Sequence, residues 1–139
     1  MKTVLTALTT LGSCTAAHWY LDRESRQDQE YCGGNLRLRA LWNDGAAFGL
    51  GIRKNALLAA SFAMLGSVWF RRKERPVSAG LVLGGGISNL LERLRGGKVY
   101  DYVQFPKAPG KLKRYVFNAA DFAIFLGAAG MAVRRKKKT

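Results

Sequence analysis

The sequence predicts an all-α membrane protein with four transmembrane helices and a small extracytoplasmic β-rich loop after the first span. The four mostly apolar segments that would form the helices are residues 3–21, 55–70, 77–91 and 115–133. Nearly all charged side chains fall between these segments or in the basic tail at residues 134–139. Because a spanning helix needs about 20 mostly apolar residues, the outer two segments are long enough. The inner two can be extended by flanking Lys and Arg stems. We expect a single integral-membrane domain over residues 1–139.

Composition excludes several function classes. The 139 residues include one His and two Cys, too few for a zinc finger with four Cys or His ligands. A Ser-His-Asp site would have to use His18, which lies in an apolar run. The formal charge of +14 suggests an anionic partner. Clustered apolar segments favour lipid headgroups over nucleic acid as that partner, and we expect no nucleic acid.

The first segment, residues 3–21, carries no fixed charge. An alternative interpretation is a lipoprotein signal sequence that ends at a lipidated Cys14, after Leu11-Gly12-Ser13. The charged region before this apolar run is very short for a signal sequence, however. Three further apolar segments also follow it. We therefore expect residues 3–21 to be retained as the first span.

The gap at residues 22–54 contains a short alternating pattern. Residues 35–42 (NLRLRALW) alternate apolar and polar side chains with a period of two, between turn signals on both sides. This pattern predicts a strand in a small amphipathic sheet at the membrane surface, with Trp42 and Phe48 dipping into the headgroups. The alternative is an unstructured surface loop.

Basic residues between the second and third segments predict the orientation. Residues 71–76 (RRKERP) and the tail at 134–139 are the densest basic runs. By the positive-inside rule, both termini would be cytoplasmic. The gaps at residues 22–54 and 92–114 would then lie outside.

The glycines of the third and fourth segments predict close helix packing. Gly84, Gly85 and Gly86 are consecutive, and Gly127 and Gly130 lie three positions apart. Small residues let helix backbones approach closely.

Polar side chains, whose placement in apolar surroundings costs free energy, interrupt the later apolar segments. Asp121 and Asn118 are three residues apart, as are Asn89 and Glu92, so each pair is expected to share a helix face. Asp101 lies in the otherwise apolar stretch that follows the third segment. Two carboxylates that converge at one end of the helices would share a proton, which is the chemistry of aspartic proteases. Alternatively, Asp121 pairs with Arg93 or Arg95 and only holds two helices together.

Five short blocks resemble the lipoprotein signal peptidase (signal peptidase II) family, and they occur in the family's order. The blocks are DRESR at 22–26, NDGAAF at 43–48, GGISNLLER at 85–93, VYDY at 99–102 and FNAAD at 117–121. The resemblance implies an intramembrane aspartic endopeptidase of the bacterial inner membrane. Such enzymes remove signal peptides from prolipoproteins on the N-terminal side of a diacylglyceryl-modified cysteine.

The resemblance also implies roles for individual residues, and no cofactor or metal. Asp101 and Asp121 match the family's catalytic pair. The residues that would shape the site or bind substrate are Asn43, Asn89, Arg93 and Asn118, with Asp22 in a supporting role. The implied partners are lipid-modified prolipoproteins and membrane lipids, and we expect a monomer.

The sequence departs from the family pattern at several points. Glu92 stands where the family has Asp before Arg, Ser88 replaces Gly, and Arg26 replaces Lys. The segment from Asp22 to Asn43 is short for the family. A divergent substrate set is one explanation. The alternative function is a non-catalytic or re-purposed four-span membrane protein on the same scaffold.

Overall fold

The computed structural model contains four helices and one four-stranded antiparallel sheet, and it describes residues 1–22, 28–45 and 51–133. Their order is α1 (Lys2–Leu21), β1 (Glu30–Tyr31), β2 (Leu36–Asn43), α2 (Lys54–Arg71), α3 (Pro76–Gly96), β3 (Val99–Gln104), β4 (Val116–Phe117) and α4 (Ala119–Ala132). The strands lie side by side in the order β1-β2-β3-β4. Short 3-10 turns occupy Cys32–Gly34 and Leu112–Arg114.

The predicted all-α class with four transmembrane helices is wrong. Half of the strands, β3 and β4, lie between α3 and α4 rather than in the loop after the first helix. None of the helices in the described ranges combines the length and the apolar character that a membrane crossing requires. The basic tail and Phe48 lie outside the described residues.

The physical reasons lie in particular side chains. Asn118 caps α4, so residues 115–118 leave the helix and α4 keeps 14 residues. In α1, several Thr side chains and His18 lower the mean hydropathy. In α3, Ser, Asn and charged side chains do the same.

Helix α3 lies at the centre of the bundle. Helix α1 runs parallel to it, because Thr3 approaches Gly80 near the start of α3 and His18 contacts Glu92 near its end. Helix α4 runs antiparallel to α3, with Gly127 against Ser78. The first and last described residues therefore lie at one end of the bundle, and the sheet lies at the other.

Gly127 lies close against the backbone of α3, as the glycine pattern predicted. A Cβ atom at this position would lie 2.6 Å from the Ser78 carbonyl oxygen and 2.9 Å from the Val82 backbone nitrogen. Gly127→Ala is therefore expected to lower the free energy of unfolding by about 1–3 kcal/mol, measured by thermal unfolding. Gly66→Ala is the control, since a Cβ there meets nothing within 4 Å. An equal effect of both substitutions would contradict close packing at Gly127.

The sheet positions Asp101 on its central strand β3. The strand predicted at residues 35–42 is present as β2, which pairs with β3. An irregularity between Leu38 and Leu41 interrupts the predicted alternation. After it, Leu41 pairs with Asp101 and Asn43 with Val99. A bulge of this kind turns the end of a strand, and here it lets the Asn43 side chain reach Asp101.

Candidate active site

Six of the seven predicted site residues meet where the sheet joins the helix ends. They come from β2, α3, β3 and the start of α4, and they are Asn43, Asn89, Arg93, Asp101, Asn118 and Asp121. All of these except Asn118 line a cavity of about 240 Å³. The fold thus brings together residues that are far apart in the sequence.

Asp121 is held by the first turn of α4. The Asn118 side-chain oxygen accepts from the Asp121 backbone nitrogen at 2.9 Å. In return, Asp121 Oδ2 accepts from the Asn118 backbone nitrogen at 3.0 Å. This reciprocal capping box satisfies two donors that a helix start otherwise leaves free. The spacing of three therefore reflects a cap and its partner, whereas the sequence suggested two residues on one helix face.

The Asn118 amide links α4 to the other side of the site. Its oxygen is committed to the cap, so its nitrogen must point the other way. That nitrogen donates to Asp101 Oδ1 at 3.0 Å and to Asn89 Oδ1 at 3.0 Å. The Tyr100 carbonyl oxygen, at 3.4 Å, is a third and weaker acceptor. Since Asn118 is only 4% exposed, this orientation is fixed by burial as well as by bonding.

Asp101 is buried between two amide donors. Its Oδ2 accepts from Asn43 Nδ2 at 3.1 Å, and its Oδ1 accepts from Asn118. The residue is 3% exposed. Burial raises the pKa of Asp101 to about 7, with a smaller upward contribution from the Asp121 carboxyl, while the amide donors and Arg93 oppose the rise. Asp101 can therefore hold a proton near neutral pH.

Asn89 completes the connection between the two carboxyl groups. Its nitrogen donates to Asp121 Oδ1 at 3.2 Å, while its oxygen accepts from Asn118. Both oxygens of both carboxyl groups thus accept a hydrogen bond from an uncharged donor. Such a pair can share one proton, and it has the form required for general acid and base catalysis by two carboxyl groups.

Arg93 contacts the site without an ion pair to Asp121. The described residues contain three ion pairs, and Arg93, Arg95 and Asp121 take part in none of them. The Arg93 guanidinium donates to the Gly45 carbonyl oxygen at 3.3 Å. Its Nε is buried and has no partner within the described part of the chain. The alternative in which Asp121 pairs with an arginine as helix glue is therefore not seen.

Asp22 lies apart from the cavity. It is the C-cap residue of α1, and its backbone nitrogen donates to the His18 carbonyl oxygen. Burial raises the pKa of the Tyr100 phenol, and the nearby Asp22 carboxylate adds to that rise. Asp22 therefore lies near Tyr100, the residue that precedes Asp101. The rest of its block, residues 23–26, lies outside the described residues, as do residues 46–48 of the block that begins at Asn43.

Sequence reasoning missed the role of His18 and treated Glu92 only as a departure. Glu92 Oε1 lies 2.7 Å from His18 Nδ1, and Glu92 Oε2 accepts from the Tyr100 backbone nitrogen at 2.7 Å. His18 and Glu92 are 74 positions apart. No local spacing could have shown this contact, and the single His was the only signal.

The stability of the fold should depend on pH through Asp101. The folded state binds this proton more tightly than the unfolded chain, because the pKa rises from an ordinary 3.8 to about 7. The stability from this group is therefore present below about pH 4 and is lost as pH rises to about 7, on the order of 4 kcal/mol in all. Denaturant unfolding between these pH values would measure it. The difference between parent and Asp101→Asn should change over the same range, and a constant difference would contradict the assignment.

Comparisons with known proteins give a consistent result. A family model described as signal peptidase (SPase) II matches residues 5–135. The lipoprotein signal peptidase of Methylorubrum extorquens (strain PA1) is 38% identical over 101 residues, which cover 66% of this chain and 58% of that protein. That of Methylobacterium sp. (strain 4-46) is 35% identical over 109 residues, covering 70% and 64%. That of Anaplasma marginale (strain Florida) is 27% identical over 130 residues, covering 87% and 73%. The match thus spans less than two thirds of the first two relatives.

Solved structures share the fold. One, described as a bacterial membrane enzyme, superposes with a TM-score of 0.80 at 16% identity and covers 99% of this chain and 93% of its own. A second with the same description gives a TM-score of 0.76 at 17% identity, covering 99% and 94%. At this identity, the likeness concerns the arrangement of helices and strands.

Proposed function

Because the chain belongs to the signal peptidase II family, as its motifs predicted, we propose that it is an aspartic endopeptidase of lipoprotein processing. Its substrates are bacterial prolipoproteins, and it cuts on the N-terminal side of the diacylglyceryl-modified cysteine. It acts as a monomer at the bacterial cell membrane, in contact with membrane lipids and without a cofactor. The single observation that carries this proposal is the pair of Asp101, which is buried, and Asp121, which is half-buried, joined by Asn amides.

The two carboxyl groups take opposite roles in the proposed reaction. Burial raises the pKa of Asp121, but the Asn118 and Asn89 donors, Arg93 and its place in the first turn of α4 favour the ionised form. Asp121 takes a proton from a water molecule, and the resulting hydroxyl oxygen forms a bond to the scissile carbonyl carbon. Asp101, which can hold a proton near neutral pH, donates it toward the carbonyl oxygen. Asp121 then gives its proton to the amide nitrogen and the C–N bond breaks, while Asp101 takes a proton back from the hydroxyl formed on the carbonyl oxygen, which leaves a carboxylic acid and an amine.

The neighbouring side chains orient this pair and the substrate. Asn43 and Asn118 hold the two oxygens of Asp101, and Asn89 holds Asp121. The Arg93 Nε is a buried donor with no partner in the described ranges, and Arg93 lines the cavity. A buried donor without a hydrogen bond raises the free energy of the protein. A substrate whose carbonyl oxygen accepts from the Arg93 Nε would therefore bind more tightly. Asp22 supports the site from the far side of Tyr100.

The test is a cleavage assay with purified protein and two forms of one prolipoprotein. One form carries the diacylglyceryl group on its cysteine, and the other keeps a free thiol. We expect cleavage of the first form only, with the modified cysteine as the new N-terminus by mass spectrometry. Cleavage at another bond, or no cleavage of several modified prolipoproteins by the folded protein, would favour a re-purposed scaffold without the chemistry.

A further inference from the structure

We propose that His18 and Glu92 form a positioning pair that holds the backbone of β3 and, through it, Asp101. This inference rests on the proposed function for its effect on catalysis, although the contact itself does not. It also explains why this chain has Glu at position 92, since the longer side chain can reach two partners.

Glu92 connects three elements of the fold. From α3, its Oε2 accepts from the Tyr100 backbone nitrogen of β3 at 2.7 Å. Its Oε1 lies 2.7 Å from His18 Nδ1 of α1. The two side chains of the pair are 21% and 23% exposed, so both contacts are partly shielded from water. Shielding strengthens hydrogen bonds to a charged group.

The contact acts next to the reacting group. Tyr100 precedes Asp101 and is 1% exposed. Its nitrogen is bound by Glu92, and its carbonyl oxygen lies 3.4 Å from the Asn118 amide. The peptide units on both sides of Tyr100 are therefore tied to α3 and to the cap of α4. A shift in the hydrogen bond between Glu92 and the Tyr100 nitrogen would therefore move Asp101 relative to Asp121.

Aromatic packing keeps His18 in place. The His18 ring centroid lies 4.7 Å from that of Tyr100 and 6.0 Å from that of Trp42. Tyr100 and Trp42 also contact each other, at 5.1 Å. His18 is thus packed against the same residue whose backbone Glu92 binds, and the pair reaches Tyr100 from both its side chain and its main chain.

The length of the residue at position 92 decides whether both contacts form. An Asp carboxylate would be withdrawn by about 1.5 Å, the length of one C–C bond. Helix α3 cannot move to compensate, because Gly84 and Gly85 already lie against the backbones of α1 and α4. An Asp at this position is therefore expected to keep the contact to His18 and to lose the hydrogen bond from the Tyr100 nitrogen.

The test combines Glu92→Asp, His18→Leu and the double variant, with Glu74→Asp as the matched control. Glu74 makes the same type of pair with Arg71, but both side chains are largely exposed. We expect Glu92→Asp to lower kcat about tenfold and to change KM less than about twofold, because misplacement of a catalytic group slows the chemical step. His18→Leu should lower kcat about threefold, and the double variant should be no slower than Glu92→Asp.

Glu92→Gln is expected to keep the kcat that Glu92→Asp loses. It keeps the length and an acceptor for Tyr100, so it should keep kcat within about threefold of the parent. A merely structural role would instead reduce the folded fraction and leave kcat per folded molecule unchanged. That result, or strictly additive losses of kcat in the double variant, would overturn the proposal that His18 and Glu92 position Asp101.

A second measurement does not need catalysis. Hydrogen exchange at the Tyr100 amide should be about tenfold faster in Glu92→Asp than in the parent, and unchanged in Glu74→Asp. If the parent cleaves no prolipoprotein but Tyr100 shows this response, the proposed function fails and the backbone contact stands. If the parent cleaves and the Tyr100 amide is unaffected, the positioning pair fails.

Discussion

Asp101→Asn is expected to lower the rate of signal-peptide cleavage at least about a thousandfold, and Asp121→Asn is expected to do the same. An amide can neither take a proton from water nor donate one as an acid does. Each variant therefore removes one of the two roles, and the remaining carboxyl group has no partner with which to share a proton. The single-turnover rate on a diacylglyceryl-modified prolipoprotein measures the loss.

These two variants need a control for folding. The four carboxyl oxygens of the pair all accept hydrogen bonds, so an Asn at either position places an NH₂ group opposite another donor. Unfolding must be measured alongside the rate. Asp28→Asn makes the same chemical change at an exposed turn with φ of 58°, a conformation that Asn also adopts readily. If a folded Asp101 or Asp121 variant kept a tenth of the parent's rate, the carboxyl pair would be the wrong assignment.

Asn118→Ala is expected to lower both stability and cleavage. It removes the cap of α4 and leaves the Oδ1 atoms of Asp101 and Asn89 without their donor. The cap contributes about 1 kcal/mol, and the buried acceptors add to this, so the free energy of unfolding should fall by about 3 kcal/mol. Cleavage should fall about a hundredfold, since Asp101 loses a side chain that orients it.

Asn118→Ser separates the two roles of this residue. A Ser hydroxyl can cap the helix but is too short to reach Asp101 as the amide does. We expect it to recover about 1 kcal/mol of stability relative to Asn118→Ala, with cleavage still low. Denaturant unfolding and the cleavage rate of the same samples give both quantities. Full recovery of cleavage by Ser would show that the amide contact to Asp101 has no catalytic effect.

The site was more predictable from sequence than the fold was. Asp101, Asp121, Asn89 and Asn118 are conspicuous because polar side chains are costly in apolar surroundings, and that cost holds whatever the surrounding fold. Their convergence followed from this cost and from the resemblance. How Asn118 joins the others did not follow, since the direction of an amide is decided by neighbours from three separate elements.

The fold prediction was wrong because apolar segments were read as helices throughout. Val116 and Phe117 are apolar like the helix that follows, but they pair with β3, and Asn118 starts α4. No element was predicted at β3, which is short and buried, because a short apolar run does not distinguish a strand from other buried structure. The partners of these strands are distant in the sequence, so local pattern could not identify them.

Because Asn118 both begins α4 and orients Asp101, selection for a stable protein and selection for an active one act on the same side-chain amide. Many enzymes can exchange stability for activity by substitution near the site. At position 118 a substitution that lowers cleavage should also lower stability, and it should do so least for Ser, which keeps the cap. A library screened only for thermal resistance should therefore also favour Asn118, and substitution at this position should be rare even in lineages whose substrates have changed.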